Sequence, residues 1–417
     1  VKEGFDAPAI VVGAGPAGLF LAARLASSPT AQVLLLEKGA RPGRKLLASG
    51  SGQCNITHEG AVASFLDRYG GKGRFLKKAL YGFSNSDLEA WFLDRGVAFE
   101  VEEGGKVFPV SRKAGDVLGV LIGECGRTGV DLRSGRRVAS VSRIDGGFEV
   151  ELEIEPPCAL RTPVLALATG GQSYPGTGSS GDGYRLAASL GHAVVRPRPA
   201  LSPLLVKDFA LADLAGLSFE GLRFALRRGG RRISERRGDV LITHEGLSGP
   251  GILDASRDIL PGDLVELDFC GRGDEAFRAA LLERAAASPR SLVKTALADL
   301  GLPRRMAEFF CSASGIGEGE TCAELRREGR ERLVQMAAAF PAEAESVGGF
   351  DKAMVTAGGV SLDEVNPATM ESRIAPGLYF AGEILDYDGD TGGFNMQAAF
   401  STAAAAAKAI EERLSSS

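Results

Sequence analysis

Residues 9–18 constrain this chain more than any other stretch. Ala9, Ile10, Val11 and Val12 make an apolar run of the length of a buried parallel strand. Gly13, Gly15 and Gly18 follow at G-x-G-x-x-G spacing, with Pro16 and Ala17 inside the motif, and Phe20 to Ala26 reads as a helix. Gly13 permits a tight turn, Gly15 lets backbone approach a pyrophosphate, and Gly18 lets the helix lie close on the strand. The helix start presents free N–H groups and partial positive charge, which suit a diphosphate. A second strand, Gln32 to Leu36, ends in Glu37, 19 residues past Gly18, where a carboxylate accepts hydrogen bonds from a ribose. The glycines alone say little. Strand, glycines, helix, strand and acid in this order predict a dinucleotide site.

A chain of 417 residues exceeds one typical core, so more than one domain is expected. The proline-rich run from Arg196 to Pro203 is the best boundary. It predicts a first domain built from 1–193 and 348–417, with 194–347 inserted. The net charge of −5 argues against a protein made mainly to grip nucleic acid. No apolar run approaches 18 residues, which predicts no membrane span. The first strand starts so early that no signal peptide is expected. The six cysteines, at 54, 125, 158, 270, 311 and 322, form no C-x-x-C. That pattern predicts reduced thiols, a cytoplasmic protein, no metal site and no paired-cysteine redox centre.

The segment from Lys38 to Thr57 is long, glycine-rich and basic at Arg41, Arg44 and Lys45. It is placed to fold back over a dinucleotide, with glycine N–H groups and basic side chains meeting phosphate. Cys54 reads as a small residue packed beside a flat ring, with a reactive thiol as the alternative. Ser86 and Glu89 suggest a capping box opening a helix through Asp94. Val97 to Phe108 predicts a hairpin, Lys113 to Gly126 a helix, and Arg136 to Glu155 an antiparallel meander of the kind that caps a parallel sheet in flavin folds. Another buried strand starts at Val164 and ends in Thr169, Gly170 and Gly171, small residues that let a ligand sit close. Gly176, Gly178 and Gly181 repeat the glycine spacing, but no strand directly precedes them and no ribose-binding acid follows. They are not expected to hold a second nucleotide.

Alternating segments at 201–206, 222–226, 240–243 and 264–269 predict a small barrel or sheet, and 275–339 has helical period. Six arginines lie between Arg227 and Arg237. Without aromatic partners or a repeated basic face they read as a solvated hairpin. His244 ends a strand before a glycine turn, where it would serve as a proton donor or as a structural histidine. Near the C-terminus a strand ends in Gly382 and Glu383, and residues 386–395 lead into an alanine-rich helix from Met396 to Arg413. The backbone N–H groups around Gly393 to Gln397 would stabilise the negative charge of a reduced flavin.

These motifs carry a resemblance. The opening glycine motif, the Gly-Arg-Lys loop with Cys54 and Asn55, the Ala-Thr-Gly-Gly segment at 168–171, the Thr-His-x-Gly-Leu-Ser-Gly-Pro run at 243–250 and the Thr-Gly-Gly-Phe-Asn run at 391–395 are similar to those of the BaiN-like NAD(P)/FAD-dependent oxidoreductases. That bacterial flavoprotein family includes aminoacetone-oxidase-like members. The resemblance runs from about residue 8 to 412. It implies an α/β fold: a Rossmann-like FAD-binding domain, with a parallel sheet and a β-meander, carrying an inserted β-barrel plus helical domain. It implies non-covalent FAD held near Gly13, Gly15, Ala17, Glu37, Lys38, Arg44, Lys45, Cys54, Asn55, Val138, Thr169, Gly170, Gly382, Glu383, Gly393, Asn395 and Gln397. Pro16, Gly18, Gly171, Gly392 and Phe394 lie in the same motifs and complete the expected set. Gln53 stands where relatives usually carry arginine, and Glu245 where a less charged residue is common. The expected activity is hydride transfer through FAD, with NAD(P)H as reductant, a small organic substrate and no nucleic-acid partner. The alternatives are an O2-consuming amine oxidase, an FAD-bearing RNA-binding or RNA-modifying protein, and a flavin-containing sensor. Substrate and oligomeric state stay open.

Overall fold

The computed structural model describes residues 4–28, 32–102 and 104–416. They divide into two compact units, one formed by 1–200 with 350–417 and the other by 201–349.

The first unit is organised on a parallel sheet of β1 (Ala9–Val12), β2 (Val33–Leu36), β3 (Asp131–Arg133), β4 (Leu165–Leu167) and β5 (Leu378–Phe380), in the order β5-β4-β1-β2-β3. All residues of β1, β2, β4 and β5 are buried, as strands covered on both faces require. Helix α1 (Pro16–Leu25) follows β1 directly. It starts four residues before the expected Phe20, because proline at the first helical position loses no hydrogen bond and has its φ preset. The last helix, α2 (Phe394–Ser415), packs along α1. Ala398, Ala399, Ala403, Ala404, Ala406 and Ala407 are buried in it, and such small side chains let neighbouring elements approach. The meander expected over 136–155 is present as Val138–Ile144 and Gly147–Leu152, and it continues past the expected end into a third antiparallel strand, Cys158–Thr162.

Two expectations need correction. The capping box lies on Ser84 and Asp87, not Ser86 and Glu89, and opens helix Asn85–Leu93. The first domain extends past the expected residue 193: Val194–Ala200, which runs into the proline-rich boundary segment, is a strand paired antiparallel with Val355–Val360. The crossings between units therefore fall at 200/201 and 349/350. The register breaks between Val195 and Arg198. That irregularity accommodates Pro197, which has no N–H to give a ladder.

The second unit is a closed six-stranded barrel. Its strands run Leu204–Val206, Gly246–Ser248, Arg231–Ile242, Ser218–Arg228, Leu264–Asp268 and Phe340–Val347 around the circle. Closure removes free edges. Helices Asp274–Ala287, Val293–Asp299, Arg304–Ala313 and Arg327–Ala338 add Phe277, Leu281, Met306, Phe310 and Leu333 to the barrel's apolar core. The arginine-rich segment is a hairpin whose charge is largely matched. Arg227 pairs with Glu266, Arg228 with Asp263, Arg232 with Glu235 and Arg236 with Asp258. Among the described residues no helix is long and apolar enough to cross a membrane.

Candidate cofactor site

The glycine turn has the shape its spacing predicts. Gly13 has φ of +103°, and a Cβ there would stand 2.6 Å from the Ala168 carbonyl oxygen. A Cβ on Gly18 would stand 1.8 Å from the Gly13 carbonyl oxygen. At Gly15 a Cβ would meet nothing within 4 Å among the described residues. The space before the start of α1 is therefore open, where helix-terminal N–H groups favour an anion. Glu37 is aimed at this turn: Oε2 accepts from the Ala14 N–H at 2.9 Å and Oε1 from the Gly39 N–H at 2.7 Å. The Arg136 N–H donates to the Glu37 carbonyl at 2.8 Å, which brings the strand of buried Val138 alongside.

The basic loop folds back on the turn, with the Gly43 N–H donating to the Ala14 carbonyl at 2.9 Å. Three of its cations, Lys38, Arg44 and Lys45, meet protein groups. Lys38 pairs with Asp182 at 2.9 Å, and Arg44 donates to the Gly176 carbonyl at 2.8 Å. Lys45 bridges Glu383 at 2.6 Å and Ser173. Glu383 also accepts from the Thr356 N–H at 2.8 Å, and Gly171 lies so close that a Cβ would be 2.4 Å from Thr356 Oγ1. These contacts clamp the segment after β4 against the basic loop. The second glycine repeat thus serves as the counterpart of that clamp.

Burial opposes charge on Asp182, but hydrogen bonds from Lys38, Ser180 and Arg137 outweigh it and hold its pKa down to about 2. A depressed carboxylate stabilises the fold above its unfolded pKa, and that contribution is lost as pH falls from about 4 towards 2. Asp182→Asn is expected to lower stability by about 1 kcal/mol at neutral pH, a figure reduced for solvent screening. It should also flatten the acid limb of a stability-against-pH curve, measured by denaturant unfolding.

Cys54 has φ of +63° and is buried. Burial pushes its thiol up to about 12, so it is neutral near pH 7 and acts by packing. Next to it, both amide atoms of Asn55 are buried without a hydrogen-bond partner among the described residues. Asn55 lies on Gly393, where a Cβ would stand 2.2 Å from its Oδ1. Thr169 Oγ1, at the end of β4, is likewise buried and unpartnered. Gly170, Gly382, Gly392 and Gly393 all have positive φ. A Cβ on Gly382 would be 3.0 Å from Ala17 Cβ, so the two ends of the chain meet at α1.

Other expected contacts have internal partners. Gln397 is fully buried; it accepts from Thr57 at 2.6 Å and donates to the Phe83 carbonyl at 3.1 Å and to Ser401 at 3.0 Å. Asn395 exchanges hydrogen bonds with Gly389, at 2.7 and 2.8 Å, and so shapes the loop before α2. Tyr69 donates to the Phe394 carbonyl at 2.8 Å. Gln397, Asn395 and Phe394 therefore hold the α2 N-terminus in place. Tyr69, Ser173 and Thr356, which brace the site, carry no spacing signal that would have revealed them.

His244 is exposed beyond the strand Arg231–Ile242 in the barrel unit. His192 is structural, with Nε2 2.7 Å from Ser372 Oγ and Nδ1 3.1 Å from Glu364. His58 stacks on Phe394 with centroids 4.8 Å apart.

The residues present fit FAD. An unpaired buried polar group costs about 1–3 kcal/mol, and a bound molecule with donors and acceptors on one edge would relieve it at Asn55. The opening at Gly15 suits the pyrophosphate, Glu37 the ribose, and the glycine-lined start of α2 the electron-accepting end of the ring.

Comparisons with known proteins give the family and the fold. The chain matches the HI0933-like protein Rossmann domain over residues 7–409. It is 33% identical over 411 residues to a ribosomal RNA dihydrouridine synthase of Escherichia coli, covering 97% of this chain and 98% of that one. At the same identity and coverage it is similar to a 3-dehydro-bile acid delta(4,6)-reductase of Clostridium scindens. Its fold is like that of a flavocytochrome c3 fumarate reductase in the open conformation, with a TM-score of 0.50 at 17% identity, over 99% of this chain and 79% of that one. The chain belongs to the HI0933-like Rossmann-domain family and is an FAD-dependent oxidoreductase.

Proposed function

We propose that this enzyme saturates a carbon–carbon double bond conjugated to a carbonyl, that its substrate is uridine in ribosomal RNA, and that NAD(P)H is the reductant. One observation carries the reading. Relatives in Escherichia coli and Haemophilus influenzae, at 33% and 32% identity over 97% of this chain, are both ribosomal RNA dihydrouridine synthases. Uracil C5=C6 is conjugated to the C4 carbonyl, and a 3-oxo steroid with double bonds at 4 and 6 presents the same unit. Both substrate types pose one problem: hydride to the carbon remote from the carbonyl, a proton to its neighbour. One NAD(P)H is oxidised per bond saturated.

FAD bound in the cradle supplies two-electron hydride chemistry. The chain's own residues hold and orient. Glu37 would take the ribose, the Gly15 opening the pyrophosphate, and Asn55 a polar ring edge. The α2 N-terminus, with its free N–H groups, favours negative charge beside it. His244 is assigned the proton delivered to substrate. His244→Gln is expected to lower turnover at least about tenfold with FAD content unchanged, and an unchanged rate would remove it from the mechanism. The expectation of no nucleic-acid partner rested on the charge of the whole chain, which does not report on one face of it.

The deciding experiment gives the purified yellow protein unmodified transcripts of ribosomal RNA with NADH or NADPH, then measures dihydrouridine by nucleoside mass spectrometry. A 3-oxo-Δ4,6 steroid is offered in parallel. Dihydrouridine that depends on reduced nicotinamide supports the reading. Reduction of the steroid alone would overturn the RNA assignment and favour the second reading, for which the Clostridium scindens relative stands.

A further inference from the structure

We infer that the helix Gly73–Gly82 is an RNA-docking face that grips the phosphate backbone beside the cofactor cradle; this rests on the RNA reading above. The helix has two distinct sides. Gly73, Leu76, Ala79 and Leu80 are buried, and it packs against α2. Arg74, Lys77, Lys78 and Tyr81 are exposed. Their spacing of i, i+3, i+4 and i+7 puts three cations and an aromatic ring on one stripe, spanning about 10 Å of helix.

The charge on that stripe is available. Among the described residues none of Arg74, Lys77 and Lys78 lies within 4.0 Å of a carboxylate oxygen, whereas the arginines of the barrel hairpin are mostly paired. From Leu66 to Gly82 there are five basic residues (68, 72, 74, 77 and 78) and one acid, Asp67; Arg68 and Lys72 are paired with Asp390 and Asp386, which leaves the three cations of the stripe. Tyr81 has 55% of its surface exposed, unusual for an aromatic ring without a partner to cover it. Cations spaced along a helix face match successive phosphates, and an exposed ring beside them offers a platform for an unpaired base. A lipid surface is the poorer match, because the helix has already buried its apolar side in the core.

The stripe is also tied to the site. In the turn just before the helix, Tyr69 bonds the Phe394 carbonyl, and Lys72 bonds the carbonyl and carboxylate of Asp386. Arg68 pairs with Asp390 and stands over the Phe394 ring. RNA held on this helix is therefore registered against the loop that shapes the start of α2.

The test uses the full FAD-loaded protein and a fluorescent transcript of ribosomal RNA, titrated between about 50 and 200 mM salt. Arg74→Ala/Lys77→Ala/Lys78→Ala should weaken binding at least about tenfold at the lower salt and make the log–log salt slope shallower by about 2 to 3. Tyr81→Ala should weaken binding with the slope unchanged. Arg232→Ala/Arg236→Ala, which removes two ion-paired arginines of the barrel hairpin, should match wild type. FAD content and the rate of bleaching by NAD(P)H should stay the same in all, which shows that the variants fold. If wild type forms dihydrouridine but the triple variant keeps its affinity and slope, the docking face is overturned and the RNA reading survives. If wild type neither binds nor modifies the transcript, both fall.

Discussion

Gly15→Ala leaves the FAD-free fold as stable as before yet lowers FAD affinity at least about tenfold. The backbone at Gly15 has φ of −77°, open to any residue, and the added methyl would meet nothing within 4 Å. It enters only the space assigned to pyrophosphate. Gly18→Ala behaves differently. Its methyl would lie 1.8 Å from the Gly13 carbonyl oxygen and 3.3 Å from Ala168 Cβ, so β1 and α1 must separate. Alanine gains up to about 1 kcal/mol over glycine inside a helix, but a backbone clash of this size outweighs it. We expect a net loss of about 1–3 kcal/mol in the FAD-free protein and little bound flavin. Thermal unfolding without cofactor and flavin-fluorescence titration separate the two variants. Equal affinity for FAD in Gly15→Ala and wild type would place the pyrophosphate elsewhere.

Asn55→Ala should move two quantities in opposite directions. The amide nitrogen and oxygen are buried with no partner, so removing both relieves a penalty of about 1–3 kcal/mol against a small loss of packing. The FAD-free protein is expected to be as stable as wild type or about 1 kcal/mol more stable. FAD affinity is expected to fall by about tenfold to a hundredfold, the worth of one or two polar contacts. An FAD-free variant that loses stability while keeping wild-type affinity would show that Asn55 serves the fold and not the cofactor.

The parts of the molecule that could be read in advance are those set by local rules. Ala9 to Val12 is apolar throughout because both faces of β1 are covered, and Gly13 and Gly18 are glycines because backbone occupies the place of a side chain. Glu37 was legible from its distance to the turn. What escaped was pairing across the chain. Lys45 and Glu383 are 338 residues apart and meet only once the sheet has formed. Phe340–Val347 closes the barrel, but its alternation of Phe340, Ala342 and Ala344 follows directly on a helix and carries weak side chains. Val194–Ala200 holds Pro197 and Pro199, which argue against a strand unless an irregular register takes them in. The stripe of Arg74, Lys77, Lys78 and Tyr81 was legible by its spacing, yet the denser arginine run at 227–237 draws the eye first. Only ion pairing distinguishes the two.

The way the chain leaves and re-enters the Rossmann unit has an evolutionary meaning. Val194–Ala200 and Val355–Val360 run side by side, and within the barrel unit Leu204 pairs with Val347 while the Gly348 N–H donates to the Pro203 carbonyl at 2.8 Å. Outgoing and returning segments are neighbours on each side of the crossing. A lineage can therefore tune the whole middle cassette for a new substrate while the flavin scaffold keeps its hydrogen bonds. Such a layout gives one physical route by which relatives at equal identity come to be named for substrates as unlike as ribosomal RNA and a bile acid.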